Sequence, residues 1–394
     1  MPSPAPRVAV LGAGPIGLDA ALACVQAGLP VTVYEAGDTV GAHVRAWGHV
    51  RLFTPWAMNT SPRMRAHHVR EHATDTGDRC PTGAELDARV LQPIARSPAL
   101  RERIKLRHKV VAIARDGLLK HEDIAGAARA AAPFRLLLDT PDGERETFAD
   151  VVVDATGTYG TANALGDGGI PAPGERALTH RITRTLPRVQ DPSEWSGTVL
   201  LIGAGKSAQT AARELAALPD TRLHWLVRNP QPTWGQVPRD TLPARQELVD
   251  SSRQLTAGHH PRVTMHTGTR ITALTEETGR IRATLATPTG PGELVADHLI
   301  ALTGHVGDPT IYRQLQVHEC YATAAPMNLS ASVLGADTAD CLAQPAPGAV
   351  TLANPEPNFY ILGAKSYGRM NTFLLRTGYE QVDHLQERLM ASRT

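Results

Sequence analysis

Six small residues in two places carry the strongest chemical signal in this chain. Gly12, Gly14 and Gly17 lie in VAVLGAGPIG, and Gly203, Gly205 and Ala208 lie in TVLLIGAGKSA, each string set between an apolar strand-like run and an Ala-rich helix-like run. The first position of such a turn permits a tight bend, the second lets the backbone approach a pyrophosphate, and the third lets helix pack closely on strand. The helix after it, opening with Lys206 and Ser207 in the second copy, points its N–H groups and positive dipole end at the phosphates. In a chain with 34 glycines one such string arises by chance. Two in matching strand–turn–helix context predict two dinucleotide sites.

The residues downstream of each turn separate the ligands. After GAGPIG, the run PVTVYEAG places Glu35 about 20 residues on, where a carboxylate accepts ribose hydroxyls, as in FAD or NAD. After GAGKSA, the run RLHWLVRNP carries Arg228 at the strand end, and a cation there suits a 2′-phosphate, favouring NADPH over NADH. The plain alternative for both residues is a solvated charge at a strand end.

The elements around these turns repeat. ERIKLRHKVVAIARDG, FRLLLDTPDGERETF and ADVVVDATG run from Glu102 to Gly157; PRVTMHTGTRITAL, RIRATLATPTGPGEL and ADHLIALTG run from Pro261 to Gly304. Each copy predicts a strand, a two-strand ribbon with a Gly-containing turn, and a closing strand ending in Thr-Gly, Thr156-Gly157 and Thr303-Gly304. The first copy is the longer, and its surplus lies between Thr39 and Arg101, a natural place for substrate or cofactor contacts.

On GAGPIG with Glu35, DATG (Asp154 to Gly157) and GAGKSA, the chain resembles the two-dinucleotide-binding flavoprotein superfamily and, within it, flavin-dependent monooxygenases, N-hydroxylating ones included. The resemblance implies an α/β fold with two Rossmann-like domains, one for FAD and one for NADPH, each a three-layer ββα-type sheet with an inserted β-ribbon. The FAD domain is expected at 1–170 and 306–394, with 39–101 as an active-site insertion, and the NADPH domain at 195–305, with the Thr-Gly ends as hinges. It further implies FAD contacts from Gly12, Gly14, Gly17, Glu35, Arg45, Trp47, Val111, Thr156, Gly157, Gly363, Lys365, Thr372 and Phe373, and NADPH contacts from the second turn, Lys206, Ser207, Arg228, Thr303 and Gly304.

The stretch WGHVRLFTPWAMNTSPRM is expected at the flavin's reactive face. Trp47 and Trp56 can wall a flat ring, and Asn59, with Thr60 beside it, can offer a donor; filling of a domain seam by the aromatics is the alternative. NTFLLRTGYEQVDHLQERL predicts a helix starting near Asn371, whose N–H groups near Thr372 and Phe373 stabilise reduced flavin. Two features depart from the superfamily. Gly363 is followed by Ala364-Lys365 in place of an Asp, so Lys365 either meets a phosphate or flavin carbonyl or faces solvent. Of a Phe-x-Gly-x-x-x-His signature only His180 is present, with Gly174 and Arg176 in the other places; His180 is either a nicotinamide contact or a linker residue.

The resemblance implies that NADPH reduces FAD, and that O2 then forms a C4a-(hydro)peroxyflavin that oxygenates a nitrogen, sulfur or carbonyl centre of a small molecule. A reductase or dehydrogenase without oxygen insertion and an FAD-binding redox sensor stand as the alternatives. Composition agrees with a soluble enzyme. The 394 residues suffice for two or three domains. A net charge of +1 gives no footprint for nucleic acid or an anionic membrane. No run approaches the roughly 18 apolar residues of a bilayer span, so a cytoplasmic location is expected. Cys24, Cys80, Cys320 and Cys341 are isolated, which argues against dithiol chemistry, and His67-His68 and His259-His260 lack companion ligands, so no metal is expected. The stretch from His318 to Gly348 is expected to form loops and short helices over the active site.

Overall fold

The computed structural model describes residues 5–67, 78–238, 240–258, 260–335, 342 and 348–391. Cys341, His68, His259 and most of 336–347 lie outside the described residues. The chain divides into two units, 1–161 with 306–394, and 162–305. The segment 162–194, expected as the tail of the first domain and a linker, belongs to the second unit. Gly166 bridges Ile271, and the buried Glu175 accepts the N–H groups of Leu165 and Ala172 and pairs with Arg184.

In the first unit, β1 (Val8–Leu11) leads through the glycine turn into α1 (Pro15–Gln26) and β2 (Val31–Tyr34). The expected insertion holds short helices: α2 (Ala42–Ala46), α3 (Trp56–Asn59), α4 (Pro62–Ala66), α5 (Gly83–Leu86), a π-helical turn at Asp87–Leu91, and α6 (Gln92–Arg96). Ser61 caps α4 through the Met64 N–H, and Thr82 with Glu85 forms a capping box on α5. The run Glu102 to Gly117, expected as one strand, contains two. β3 (Ile104–Lys105) joins the central sheet beside β2, and β4 (Lys109–Arg115) opens an antiparallel ribbon with β5 (Phe134–Thr140) and β6 (Gly143–Ala149), with α7 (Ala127–Ala131) in the β4–β5 connection. β7 (Val151–Asp154) returns beside β1 in parallel register, Val8 opposite Val151 and Leu11 opposite Asp154.

The second unit repeats this plan. β8 (Ile182–Thr183) precedes β9 (Gly197–Ile202), α8 (Lys206–Ala216), β10 (Thr221–Val227), α9 (Pro243–Thr256) and β11 (Val263–Thr267). The ribbon is β12 (Arg270–Glu277), β13 (Arg280–Thr287) and β14 (Gly290–Ala296), and β15 (His298–Ala301) closes the sheet. The central sheet runs β11-β10-β9-β15-β8, its paired strands parallel. Both ribbons carry a register shift at one place in their first strand, between Val110 and Ala112 and between Ile271 and Ala273. Val111 therefore sits on a bulge, which re-aims the backbone locally.

After the second unit the chain returns to the first through a hairpin of β16 (Glu319–Cys320) and β17 (Ala325–Pro326), α10 (Met327–Leu334), β18 (Phe359–Ile361) and α11 (Leu375–Ala391). β18 completes the first sheet in the order β18-β7-β1-β2-β3. Because strand side chains alternate faces, this sheet buries two cores. Val8, Val10, Val151, Val153, Tyr360 and Leu362 pack with α1 and α11, while Ala9, Leu11, Val152, Phe359 and Ile361 pack with the ribbon's Ile113, Phe134 and Leu136. In the second unit Leu200, Leu226, Leu299 and Ala301 likewise meet Ile271, Leu274, Ile281 and Ala283 of its ribbon. Helix layer, parallel sheet and ribbon make three layers in an α/β fold of the Rossmann type.

Candidate functional site

The first glycine turn is shaped by three different steric demands. Gly12 has φ +93°, and a Cβ there would lie 2.7 Å from the Ala155 carbonyl oxygen. At Gly17 a Cβ would sit 1.9 Å from the Gly12 oxygen, so α1 can rest on β1 only without one. Gly14 caps α1, and a Cβ there would meet nothing within 4 Å. It is the open lip where backbone can meet a phosphate. Glu35 stands directly after β2 and braces this turn, Oε2 accepting the Ala13 N–H at 2.7 Å and Oε1 the Gly37 N–H at 2.8 Å. A carboxylate has about four lone-pair sites, so acceptor capacity remains for ribose hydroxyls.

The second turn obeys the same logic. Gly203 has φ +131°, and a Cβ there would lie 2.3 Å from the Leu302 oxygen; Gly205 is open, and Ala208 is fully buried. Ala155 and Leu302 each precede a Thr-Gly pair, so the two first glycines face equivalent carbonyls. Gly157 and Gly304 are both left-handed, at φ +72° and +83°. Thr156 bonds Asp154, and Thr303 bonds the Asn163 carbonyl. Ser207 is exposed.

Register corrects one correspondence. The Gly12 N–H bonds the Tyr34 carbonyl and the Gly203 N–H bonds the Leu226 carbonyl, so the counterpart of Glu35 is Val227, and Arg228 stands one residue further. Arg228 is exposed and makes no hydrogen bond or ion pair with a described residue.

Ile16 marks where the first cradle meets the C-terminal elements. It lies 3.3 Å from a Cβ built on Gly363 and 2.4 Å from one built on Gly378, so α1, the turn after β18 and α11 converge at one place. α11 begins at Leu375, not near Asn371. Its first-turn donors are therefore those of Leu375 to Thr377, with Thr372 and Phe373 in the non-helical approach. The Thr372 Oγ1 and Trp47 Nε1 atoms are buried and without a hydrogen-bond partner among the described residues, and Phe373 packs on Tyr367 with ring centroids 5.5 Å apart. Trp47 also stacks on Tyr159, which stacks on His43. Sequence reasoning missed Tyr159; its only signal was its place two residues after Thr156-Gly157.

Other expected contacts have different duties. Arg45 pairs with Asp87 at 3.0 Å. Lys365 faces neither solvent nor an open phosphate site; it is buried, 2.6 Å from the Asp154 carboxylate, with the Thr156 hydroxyl at 3.2 Å and the Tyr312 ring beneath it. The Asn59 amide donates to the Thr54 and Pro55 carbonyls and accepts the Thr54 hydroxyl, so its hydrogen-bonding atoms are spent on its own turn. Trp56 is buried, with Arg79 above its ring. Thr60 is buried, donates to the Trp56 carbonyl, and lines a small cavity of about 190 Å³ with Met58, Arg65, Arg376 and Tyr379. His180 is exposed on a 3-10 turn of the second unit. Among the described residues no group of three or more His, Cys, Asp and Glu could hold a metal, and no helix is long and apolar enough to cross a membrane.

Open lips at Gly14, Gly157 and Gly205, the braced Glu35 carboxylate and the orphaned polar atoms of Trp47 and Thr372 fit dinucleotides. Fold and site define a flavoprotein with two dinucleotide-binding units. The match of residues 6–321 to the model of the pyridine nucleotide-disulphide oxidoreductases places the chain in that family, and its cofactors are FAD and NADPH. The fold is shared with solved structures at low identity. Bacillithiol disulfide reductase of Bacillus cereus is 18% identical over 99% of this chain and 100% of that one, with a TM-score of 0.71. Ornithine hydroxylase of Pseudomonas aeruginosa is 16% identical over 98% and 99%, with a TM-score of 0.64. Ornithine N-hydroxylase of Kutzneria sp. 744 is 15% identical over 99% and 100%, with a TM-score of 0.62. A multifunctional alkene reductase/demethylase of Caballeronia cordobensis is 28% identical over 159 residues, which are 39% of this chain and 20% of that protein. The chain thus spans about a fifth of that relative's length.

Proposed function

We propose that the protein is an NADPH-dependent flavin monooxygenase that hydroxylates a small-molecule amine. Bound FAD would take a hydride from NADPH and pass electrons to dioxygen. The overall balance is R–NH2 + O2 + NADPH + H⁺ giving R–NHOH + H2O + NADP⁺. The first turn with Glu35 holds the adenosine half of FAD, and the start of α11 faces the flavin's pyrimidine side. The second turn holds NADPH, with Arg228 on its 2′-phosphate, and the reaction takes place in the cytoplasm.

The observation that carries this reading is where the thiols are. Residues 162–305 contain no cysteine. Cys24 lies inside α1, 1% exposed, with burial pushing its thiol up to about 12. Cys320 is buried in the β16–β17 hairpin, and Cys80 stands apart in the insertion. In the sequence no two of the four cysteines form a short pair, and Cys24, buried and held protonated, is a poor nucleophile; hydrogen bonding from Thr323 instead lowers the Cys320 thiol. This argues for an acceptor other than a dithiol among the described cysteines, and two structural neighbours, by their names, hydroxylate ornithine.

A second reading, hydride transfer to another acceptor without oxygen insertion, is favoured by the Asn59 amide, whose donors are already spent. One experiment separates the two. NADPH and O2 consumption, H2O2 release and incorporation of ¹⁸O are measured with a panel of primary amines, including ornithine. Oxygenation gives an ¹⁸O-labelled hydroxylamine and less H2O2 than NADPH consumed. H2O2 equal to NADPH with every amine, and no labelled product, rejects it.

A further inference from the structure

The connection after β10 carries a backbone feature that the fold alone does not demand. Trp234 has φ +59° and Gly235 comes next at φ +60°. A bulky residue in this left-handed region is a genuine outlier, and such strain persists only where its surroundings hold it. Here the holders belong to β10 and to α8, the elements that flank the second glycine turn. The Trp234 ring packs on Trp225 with centroids 4.7 Å apart, and Trp225 Nε1 donates to the Gly203 carbonyl at 2.7 Å. The Trp234 carbonyl accepts from Lys206 Nζ at 2.8 Å and from Gln209 Nε2 at 3.0 Å, and Lys206 reaches the Gly235 carbonyl at 3.3 Å. Gln209 also donates to the Ala204 carbonyl. In the first unit the position of Lys206, directly after the capping glycine, is held by Pro15, which has neither charge nor N–H.

Lys206 thus spends a full charge on two neutral carbonyls at the N-terminus of α8. Burial, and then the nearby Arg245, bring its ammonium down to about 8, against the opposing pull of Asp240, which is itself bound by Arg245. A diphosphate at the same helix end is a far better partner, because charge-assisted bonds are roughly twice as strong as neutral ones.

We propose that Lys206 is a nucleotide-operated latch: on binding of NADP(H) its ammonium moves from the Trp234 and Gly235 carbonyls to a phosphate oxygen, releasing the strained turn so that the position of Trp234 reports occupancy of the cradle. The inference rests on the reading of this turn as the NADPH site. Lys206 is a positioning residue, and it makes nucleotide binding depend on pH. A phosphate partner restores the ammonium's affinity for its proton, so binding takes up a proton above pH 8 and weakens as pH rises.

The test is titration of the FAD-loaded full chain with NADP⁺, monitored by calorimetry and tryptophan emission. In the wild type, emission changes on binding, affinity falls several-fold between pH 7 and 9.5, and heats at pH 8.5 in two buffers of different ionisation enthalpy reveal proton uptake. Trp234→Phe binds but loses the emission change. Lys206→Met binds about 10-fold more weakly, shows no pH dependence, and without nucleotide already has the emission of the bound wild type. Equal affinity and an equal emission change in Lys206→Met, or no proton uptake by the wild type, overturns the latch while leaving the cradle. No NADP⁺ binding by the wild type overturns both.

Discussion

Lys365 and Asp154 form an ion pair sealed inside the first unit, Nζ 2.6 Å from Oδ2, with side-chain exposures of 2% and 0%. Gly307 makes room for it, since a Cβ there would lie 2.4 Å from the Lys365 stem. The pair joins the turn after β18 to the end of β7 and so fixes Thr156, which bonds both partners.

Removing one member of a buried pair leaves a charge without compensation, at a cost of about 3–5 kcal/mol. Lys365→Met is expected to lose that much stability in urea unfolding, and adding Asp154→Asn is expected to recover more than half of it. FAD content per folded molecule stays unchanged in Lys365→Met, because the side chain lies below the cradle surface. A loss under about 1 kcal/mol would show that the pair is not sealed from water.

Gly14 and Gly17 are expected to fail in opposite ways. At Gly17 a Cβ collides with the Gly12 oxygen, a backbone atom that can move only if α1 lifts from β1. Gly17→Ala should therefore yield unfolded or strongly destabilised protein. At Gly14, where φ is −79° and the space is open, Gly14→Ala should fold with wild-type circular dichroism yet retain less than a tenth of the FAD. Normal flavin content in Gly14→Ala would place the pyrophosphate elsewhere.

How much of this was legible from sequence depends on the range of the forces involved. The glycine turns, Glu35 and the repeated strand–ribbon–strand order rest on local backbone sterics and period-2 patterning, which short strings encode. One short strand is hidden: Glu102 to Gly117 reads as one apolar-alternating run, yet a left-handed Arg107 at φ +56° separates the two-residue β3 from β4. Asn371 is a good capping residue and so draws the expected start of α11 to itself, whereas residues 371–374 have no regular structure and Phe373 packs on Tyr367. Lys365 with Asp154, and Trp234 with Lys206, are partners 211 and 28 residues apart, and no local pattern announces such pairings. Asn59 differs, because its partners are local and only the direction of its amide is hidden. Its residue type suited a donor in a cavity, while its actual acceptors are the carbonyls four and five residues before it.

That placement makes Asn59 a residue of stability. Asn59→Ala strands one buried and one part-buried carbonyl and one hydroxyl, at about 1–3 kcal/mol. The expected result is a lower urea midpoint with NADPH oxidation per bound flavin within about threefold of the wild type. A fall of a hundredfold or more at unchanged flavin content would return Asn59 to the chemistry.

Arg228 offers the cleanest probe of nucleotide choice, because its exposed side chain has no partner among the described residues and its removal should cost the fold nothing. In a 2′-phosphate site it would supply charge-assisted hydrogen bonds worth about 1.5–3 kcal/mol, hence roughly 10- to 100-fold in affinity. Arg228→Ala should raise the KM for NADPH by that factor and the KM for NADH by less than twofold. Val227 holds the position that Glu35 occupies in the first unit and supplies no carboxylate for the ribose, so the wild type should use NADH poorly. Equal losses with both nucleotides in Arg228→Ala would mean that the guanidinium does not read the phosphate.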